Sequence, residues 1–347
     1  MVDSHGHGVD SRDNSGGRFV TTKVKGLVDL ARSLRSIRVA VIGDVMLDVW
    51  IEGPVRRMSP EAPVPVIQLE RTSVFPGGAA NVAGLVAALG ASATLVGVVG
   101  DDDVATELEA TVGSRSIEAR LFRDNTRVTT RKTRIASSGQ QVCRVDEETT
   151  EPLSAELEAE LATMIARVVP EVDVVVLQDY GKGAVSDKVI ADVLAQASTG
   201  STRVVVDPSG DGAGRFLHAA LIKPNRLEAL AALGRPFEEV TSASCLALEL
   251  TQELTGCPSL VTDGKRGCGL AVGDESFAFP APTRDVTDAT GAGDAVVAVA
   301  AAALGAGGDL WSAAALGNIA GSVAVTKRGT STFGLEELVL AVQAQYG

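Results

Sequence analysis

The chain has 347 residues, 45% of them hydrophobic and 22% charged, and its 31 Lys and Arg against 44 Asp and Glu give a formal net charge of −13. Such a composition suits one large α/β domain or two small ones, with enough apolar sequence for a sizeable core. The negative field opposes binding to nucleic acid or anionic membranes, so a phosphate-bearing ligand has to be held by local features.

Residues 1–35 are expected as a flexible tail and leading helix; the first 17 residues, rich in Gly, Ser and Asp, lack the apolar segment of a secretory signal. His5, His7 and His218 form no cluster, and Cys143, Cys245, Cys257 and Cys268 contain no C-x-x-C pair. Free thiols in a reducing cytoplasm are expected, not a zinc site. "IRVAVIGDVMLDVWI" predicts a buried strand ending at Gly43 and Asp44, and "NVAGLVAALG" a helix stopped by Gly90. Strand "ATLVGVVGD", helix "VATELEATVG", strand "VDVVVLQDYGKG", helix "DKVIADVLAQAS", strand "TRVVVDPSG" and short strand "AALIKPN" follow. "PSLVTDGKRG" and "GLAVGDESFAFP" read as further strands, and three alanine-rich helices close the chain. The longest apolar run, from Ala295, is broken by Gly305, short of a membrane span.

This alternation predicts an α/β fold with a mainly parallel sheet between two helical layers and ligands beyond the strand C-termini. Asp44, Asp179, Asp207, Asn225 and Asp263, which end strands, are then expected on one rim. Residues 50–74 and 120–145 alternate at period two without an intervening helix and read as a small β-sheet lid inserted into the main domain.

"TDATGAGDAVVAVAAAALG" places Asp294 directly after Gly291, Ala292 and Gly293, at the start of an apolar helix. It is no dinucleotide fingerprint, because Val296 stands where a third glycine belongs, and neither Lys182 nor Lys265 completes a Walker A loop. The first amides of a helix lack intrahelical partners and lie at its positive end, so residues 291–293 can form an anion hole. Asp294 beside it reads as a general base toward an attacking hydroxyl, or as a simple helix cap. In "FPGGAANVAGLVAALG", Gly77 and Gly78 allow close approach of a ligand and Asn81 can bond its hydroxyls; a glycine turn with an Asn cap is the alternative.

With "GGAANVA" early and "DATGAGD" late, the chain after about residue 35 resembles the ribokinase-like (PfkB) carbohydrate kinases. "GDVMLDVW", "RRMSPEAPVPV", "GQQVCRVD", "QDYGKG", "KPNRLE" and "KRGTST" look most like heptose 7-phosphate kinases. The resemblance implies a three-layer kinase domain over 36–347, with Asp294 as general base and Gly291, Ala292 and Gly293 as anion hole. It implies ATP and Mg²⁺ as cofactors, with Glu228 of the N-x-x-E pair Asn225 and Glu228 ordering the hydrated metal. Thr262, Gly264 and Gly267 match the nucleotide loop, unless they make a plain hairpin turn, and Asn318 matches the adenine side, unless it serves packing. Asp288 and Thr290 match a monovalent-cation site, for which K⁺ is the candidate.

The sugar-contacting positions fall on Asp44, Asp48, Gly77, Gly78 and Asn81, although Asp44 also reads as a turn residue. Carboxylates suit vicinal hydroxyls because each oxygen accepts charge-assisted hydrogen bonds. Lys182 is the first choice to hold a phosphate already on the sugar, ahead of Arg56, Arg57, Arg131, Lys132, Arg134 and Arg144. Lid closure is expected to exclude water, and the resemblance, with lid strands that pair between subunits in some relatives, implies a homodimer. No nucleotidyltransferase half follows Gly347, so a stand-alone cytoplasmic kinase with a separate nucleotidyltransferase partner is expected. The expected reaction is ATP-dependent phosphorylation of heptose 7-phosphate at O1. The alternatives are another sugar or sugar phosphate, such as ribose or a hexose phosphate, or a silent protein that binds nucleotide and sugar without turnover.

Overall fold

The computed structural model describes residues 26–210, 212–282, 286–327, 329–330 and 332–346. The tail with His5 and His7 lies outside the described residues; residues 26–33 are helical.

Nine strands form the main sheet, in the order Glu275–Phe279, Cys268–Val272, Ser259–Thr262, Leu221–Ile222, Arg203–Asp207, Val174–Gln178, Arg38–Gly43, Ser92–Gly100, Ile117–Asp124. Pairing is parallel from Ser259–Thr262 through to Ile117–Asp124 and antiparallel only in the hairpin at the other edge. The central strands are apolar on both faces because both are covered. Val39, Val41, Val174 and Val176 enter one core, and Ala40, Ile42, Val175 and Leu177 the other.

The late helices Ala292–Gly305 and Leu310–Ala324 belong to the first core, and every residue from Asp294 to Leu304 is buried. A helix apolar on all sides has to be enclosed on all sides. Their small residues allow this: a Cβ on Gly317 would lie 2.9 Å from the Val296 carbonyl oxygen.

A second sheet of four strands runs Arg71–Gly78, Val45–Glu52, Thr130–Ser137, Gln140–Glu147, and Val55–Met58 pairs with Pro65–Ile67 as a ribbon. The small sheet thus starts at Val45, not at residue 50, and strand Ile117–Asp124, whose last residues were expected in the lid, pairs with Ser92–Gly100 in the main sheet. Its half-exposed alternation is that of an edge strand, which period two cannot distinguish from a lid strand. Helices Ala155–Val168 and Ala243–Glu253 were not anticipated.

Candidate active site

Parallel strands end in register, and this brings the polar residues that close them together. Gly43 faces Gln178, and Gln178 faces Asp207. Beyond these ends lies a cavity of about 970 Å³ lined by Gly291, Ala292, Gly293 and Asp294 on one side and Asn225, Glu228, Thr262, Gly264, Gly267 and Asn318 on another. Gln178, Tyr180, Asp207 and Lys223 complete its floor. The volume is that of a small-molecule site.

Gly291 caps the helix Ala292–Gly305 with φ 77°, a left-handed conformation that favours glycine. The Ala292 N–H donates to the Ala289 carbonyl at 3.3 Å, and the following amides belong to the first turn, where no intrahelical acceptor exists. Asp294 is buried, at 4% exposure. It makes no side-chain cap. Its Oδ2 accepts from Asn81 Nδ2 at 2.6 Å, its Oδ1 from the Tyr180 hydroxyl at 2.7 Å, and Gln178 Nε2 approaches Oδ1 at 3.5 Å. Burial pushes the carboxyl up to about 6; the Asn81 hydrogen bond opposes this and Asp207 adds to it. A carboxylate so placed is ionised at neutral pH and basic enough to take a proton from a hydroxyl.

Gln178 Nε2 also donates to Asp207 Oδ2 at 2.9 Å, and Asp207 Oδ1 pairs with Lys223 Nζ at 2.9 Å. Lys223 is buried beside the anion hole: a Cβ on Gly293 would lie 3.5 Å from Nζ. Burial alone would lower its pKa, but Asp207 and Glu228 raise it, so the ammonium stays charged. Lys223, Gln178 and Tyr180 were not assigned from sequence, although each closes or directly follows an apolar strand, the signal that had picked out Asp207.

Asn225 and Glu228 form a reciprocal capping box on helix Arg226–Ala232: Asn225 Oδ1 accepts the Leu227 and Glu228 amides, and Glu228 Oε2 accepts the Asn225 amide at 2.7 Å. Glu228 still lines the cavity, and burial raises its pKa. One carboxylate on a cavity of this volume fits a hydrated magnesium ion, which uses few protein ligands. Residues 264–266 are a turn between antiparallel strands, and Thr262, Gly264 and Gly267 line the cavity. Asn318 both lines the cavity and donates to the Pro280 carbonyl at 2.9 Å. Asp288 accepts the Thr290 amide and the Gly329 amide, each at 2.9 Å, and thereby shapes the loop before the anion hole.

The sugar-side candidates do not line this cavity. Asp44 accepts the amides of Tyr180, Lys182 and Ala184 at 2.7, 3.0 and 3.1 Å, so its carboxylate holds the 180–184 loop. Asp48 is buried against Arg134, and a Cβ on Gly77 would come within 2.8 Å of its Oδ2, which is why glycine stands there. Gly78 precedes helix Ala79–Ala88, which delivers Asn81 to Asp294. Lys182 reaches Glu148 at 2.8 Å, and Lys132 reaches Glu148 and Asp146 at 3.2 Å each. Arg144 pairs with Asp146 and Arg131 with Glu147, while Arg56 and Arg57 are exposed on the ribbon. Among the described residues no group of three or more His, Cys, Asp or Glu side chains could hold a metal ion, and no helix is long and apolar enough to cross a membrane.

The pfkB family carbohydrate kinase pattern matches residues 36–338. The chain belongs to this family. It is therefore a carbohydrate kinase, a phosphotransferase of ribokinase-like fold. It is 37% identical over 326 residues to the bifunctional protein HldE of Paramagnetospirillum magneticum, covering 93% of this chain and 67% of that one. With the HldE of Caulobacter sp. strain K31 it shares 42% identity over 317 residues, 90% of this chain and 64% of the relative. The family member thus spans about two thirds of the length of these relatives. In fold it is similar to phosphofructokinase-2 from Escherichia coli, solved in complex with potassium, with a TM-score of 0.74, 20% identity, and coverage of 89% of this chain and 99% of that one.

Proposed function

We propose that the protein transfers the γ-phosphoryl group of ATP to the anomeric hydroxyl of heptose 7-phosphate, giving the 1,7-bisphosphate. The observation that carries the reading is the buried Asp294 carboxylate, set beside the amides of 291–293 in the wall of a nucleotide-sized cavity. Asp294 takes the proton of the attacking hydroxyl, and the first-turn amides with the Lys223 ammonium face the charge of the travelling phosphoryl group. Glu228 would hold Mg²⁺ through water; when bound, the ion neutralises phosphate charge. Asp288 and Thr290 are the proposed K⁺ ligands, a reading supported by the potassium complex of the structural neighbour.

The choice of heptose 7-phosphate rests on the quoted motifs and on the kinship with HldE. Lys182 and Lys132, now shared with Glu148, are the cations offered to the 7-phosphate as the lid closes. A homodimer through the lid is part of the proposal, supported by the outermost lid strand Gln140–Glu147, which is exposed along its whole length. A cytoplasmic setting is supported by the four unpaired cysteines.

The test is a panel of free and phosphorylated sugars with ATP, read by product mass. Two phosphates on seven carbons are expected, and turnover confined to unphosphorylated pentoses or to hexose phosphates would replace this substrate. Asp294→Asn is expected to lower kcat by about 10²- to 10⁴-fold with nucleotide binding retained. Wild-type-like turnover in that variant would remove the general base from the mechanism.

A further inference from the structure

The carboxylate at the centre of the site is held by a residue outside the glycine-rich motifs. A carboxylate offers about four lone-pair directions. On Asp294, Asn81 Nδ2 takes one on Oδ2 at 2.6 Å, the Tyr180 hydroxyl takes one on Oδ1 at 2.7 Å, and Gln178 Nε2 leans toward Oδ1 from 3.5 Å while bonding Asp207 at 2.9 Å. Asn81 and Tyr180 arrive from different elements and grip different oxygens, so together they fix the rotation of the carboxyl about its own axis. Either one alone would leave it free to pivot.

Tyr180 is built to keep this position. Its amide donates to Asp44 at 2.7 Å, and the same carboxylate receives the amides of Lys182 and Ala184, so the loop is pinned at the tyrosine and at the second and fourth residues after it. Tyr180 also lines the cavity.

We propose that Tyr180 is a positioning residue for the catalytic carboxylate: with Asn81 it clamps Asp294, one donor on each oxygen, and leaves a remaining lone pair to receive the acceptor proton. This rests on the general-base reading of Asp294. The hydrogen bond also stabilises the ionised form against its surroundings. The groups facing Asp294 are Asn81 from helix Ala79–Ala88, Gln178 and Tyr180 at one strand end, Asp207 at the next, and Lys223 beyond Leu221–Ile222. Burial and Asp207 favour the protonated carboxyl, whereas Asn81, Tyr180 and Lys223 favour the ionised one. Removing the phenolic hydroxyl therefore moves the titration of Asp294 upward.

The test is carboxyl-carbon NMR on aspartate-labelled protein, with the Asp294 signal assigned by its loss in Asp294→Asn. In Tyr180→Phe the titration midpoint is expected to rise by about one to two pH units, the worth of a hydrogen bond to an ionised group. The acid limb of kcat/KM is expected to move with it, kcat to fall about tenfold and KM for ATP to stay unchanged. The chain has two tyrosines, so biosynthetic incorporation of 3-fluorotyrosine perturbs few other sites, and its more acidic phenol should move the midpoint down. An unmoved midpoint in Tyr180→Phe overturns the proposal. If that variant does not fold, the fluorinated protein decides, a downward shift supporting the clamp and no shift overturning it. Turnover in Asp294→Asn would instead sink the general-base reading, so the two failures are separable.

Discussion

Asp294 weakens the fold that carries it, and Asp294→Asn should make the protein more stable. Its carboxyl titrates at about 6 in place of the ordinary 3.8, a difference worth about 3 kcal/mol at 1.36 kcal/mol per pH unit. The sign follows from proton affinity: the folded state binds this proton more tightly than the unfolded chain does. The wild-type protein is thus most stable where Asp294 is protonated in both states, loses stability as pH climbs from about 4 through about 6, and stays at the lower level above that. Asparagine carries no such cost and fits the same space. Its amide oxygen can accept from Tyr180, and its amide nitrogen can be received by Asn81 Oδ1, a buried atom without a partner among the described residues, once the Asn81 amide turns over. At about 2 °C per kcal/mol for a chain of this size, the variant should melt about 5 °C higher near pH 8, with the gain shrinking to nothing near pH 4. Calorimetric unfolding at both pH values reads this. A gain of the same size at both, or a loss near pH 8, would refute the reasoning.

Arg134→Met should leave Asp48 buried without its counter-charge and cost about 3–5 kcal/mol, seen as faster amide exchange in Val45–Glu52 and Thr130–Ser137. Glu228→Gln keeps an oxygen for the Asn225 amide, so helix Arg226–Ala232 should survive, while the Mg²⁺ concentration for half-maximal activity should rise about tenfold. Unchanged Mg²⁺ dependence in a folded variant would take Glu228 out of metal binding.

The parallel sheet was legible because strands covered on both faces must be apolar throughout, and "VDVVVL" or "TRVVV" admits little else. The helix start at Ala292 was legible because a short run of small residues stands directly before a long apolar run. The partners of Asp294 were not. Asn81, Gln178 and Tyr180 lie 213, 116 and 114 residues from it, and nothing local in a sequence records which strand end will stand beside which helix start. Asp44 kept two readings for a related reason: an acid at a strand end can face a ligand or the backbone of another loop, and only the crossing of the chain shows that its carboxylate meets the amides of 180, 182 and 184. The lid boundary failed where Val45–Glu52 is buried at its start like a main-sheet strand, so burial gives no sign that the chain has changed sheets.

Asp44 is the single residue through which the polypeptide passes from Arg38–Gly43 into Val45–Glu52, and its carboxylate fastens a loop 136 to 140 residues further along. The small sheet and the tyrosine loop thus share one rivet. Damage at position 44 would read out as a fault in two places at once, in the small sheet that begins at the next residue and in the distant loop whose tyrosine holds Asp294.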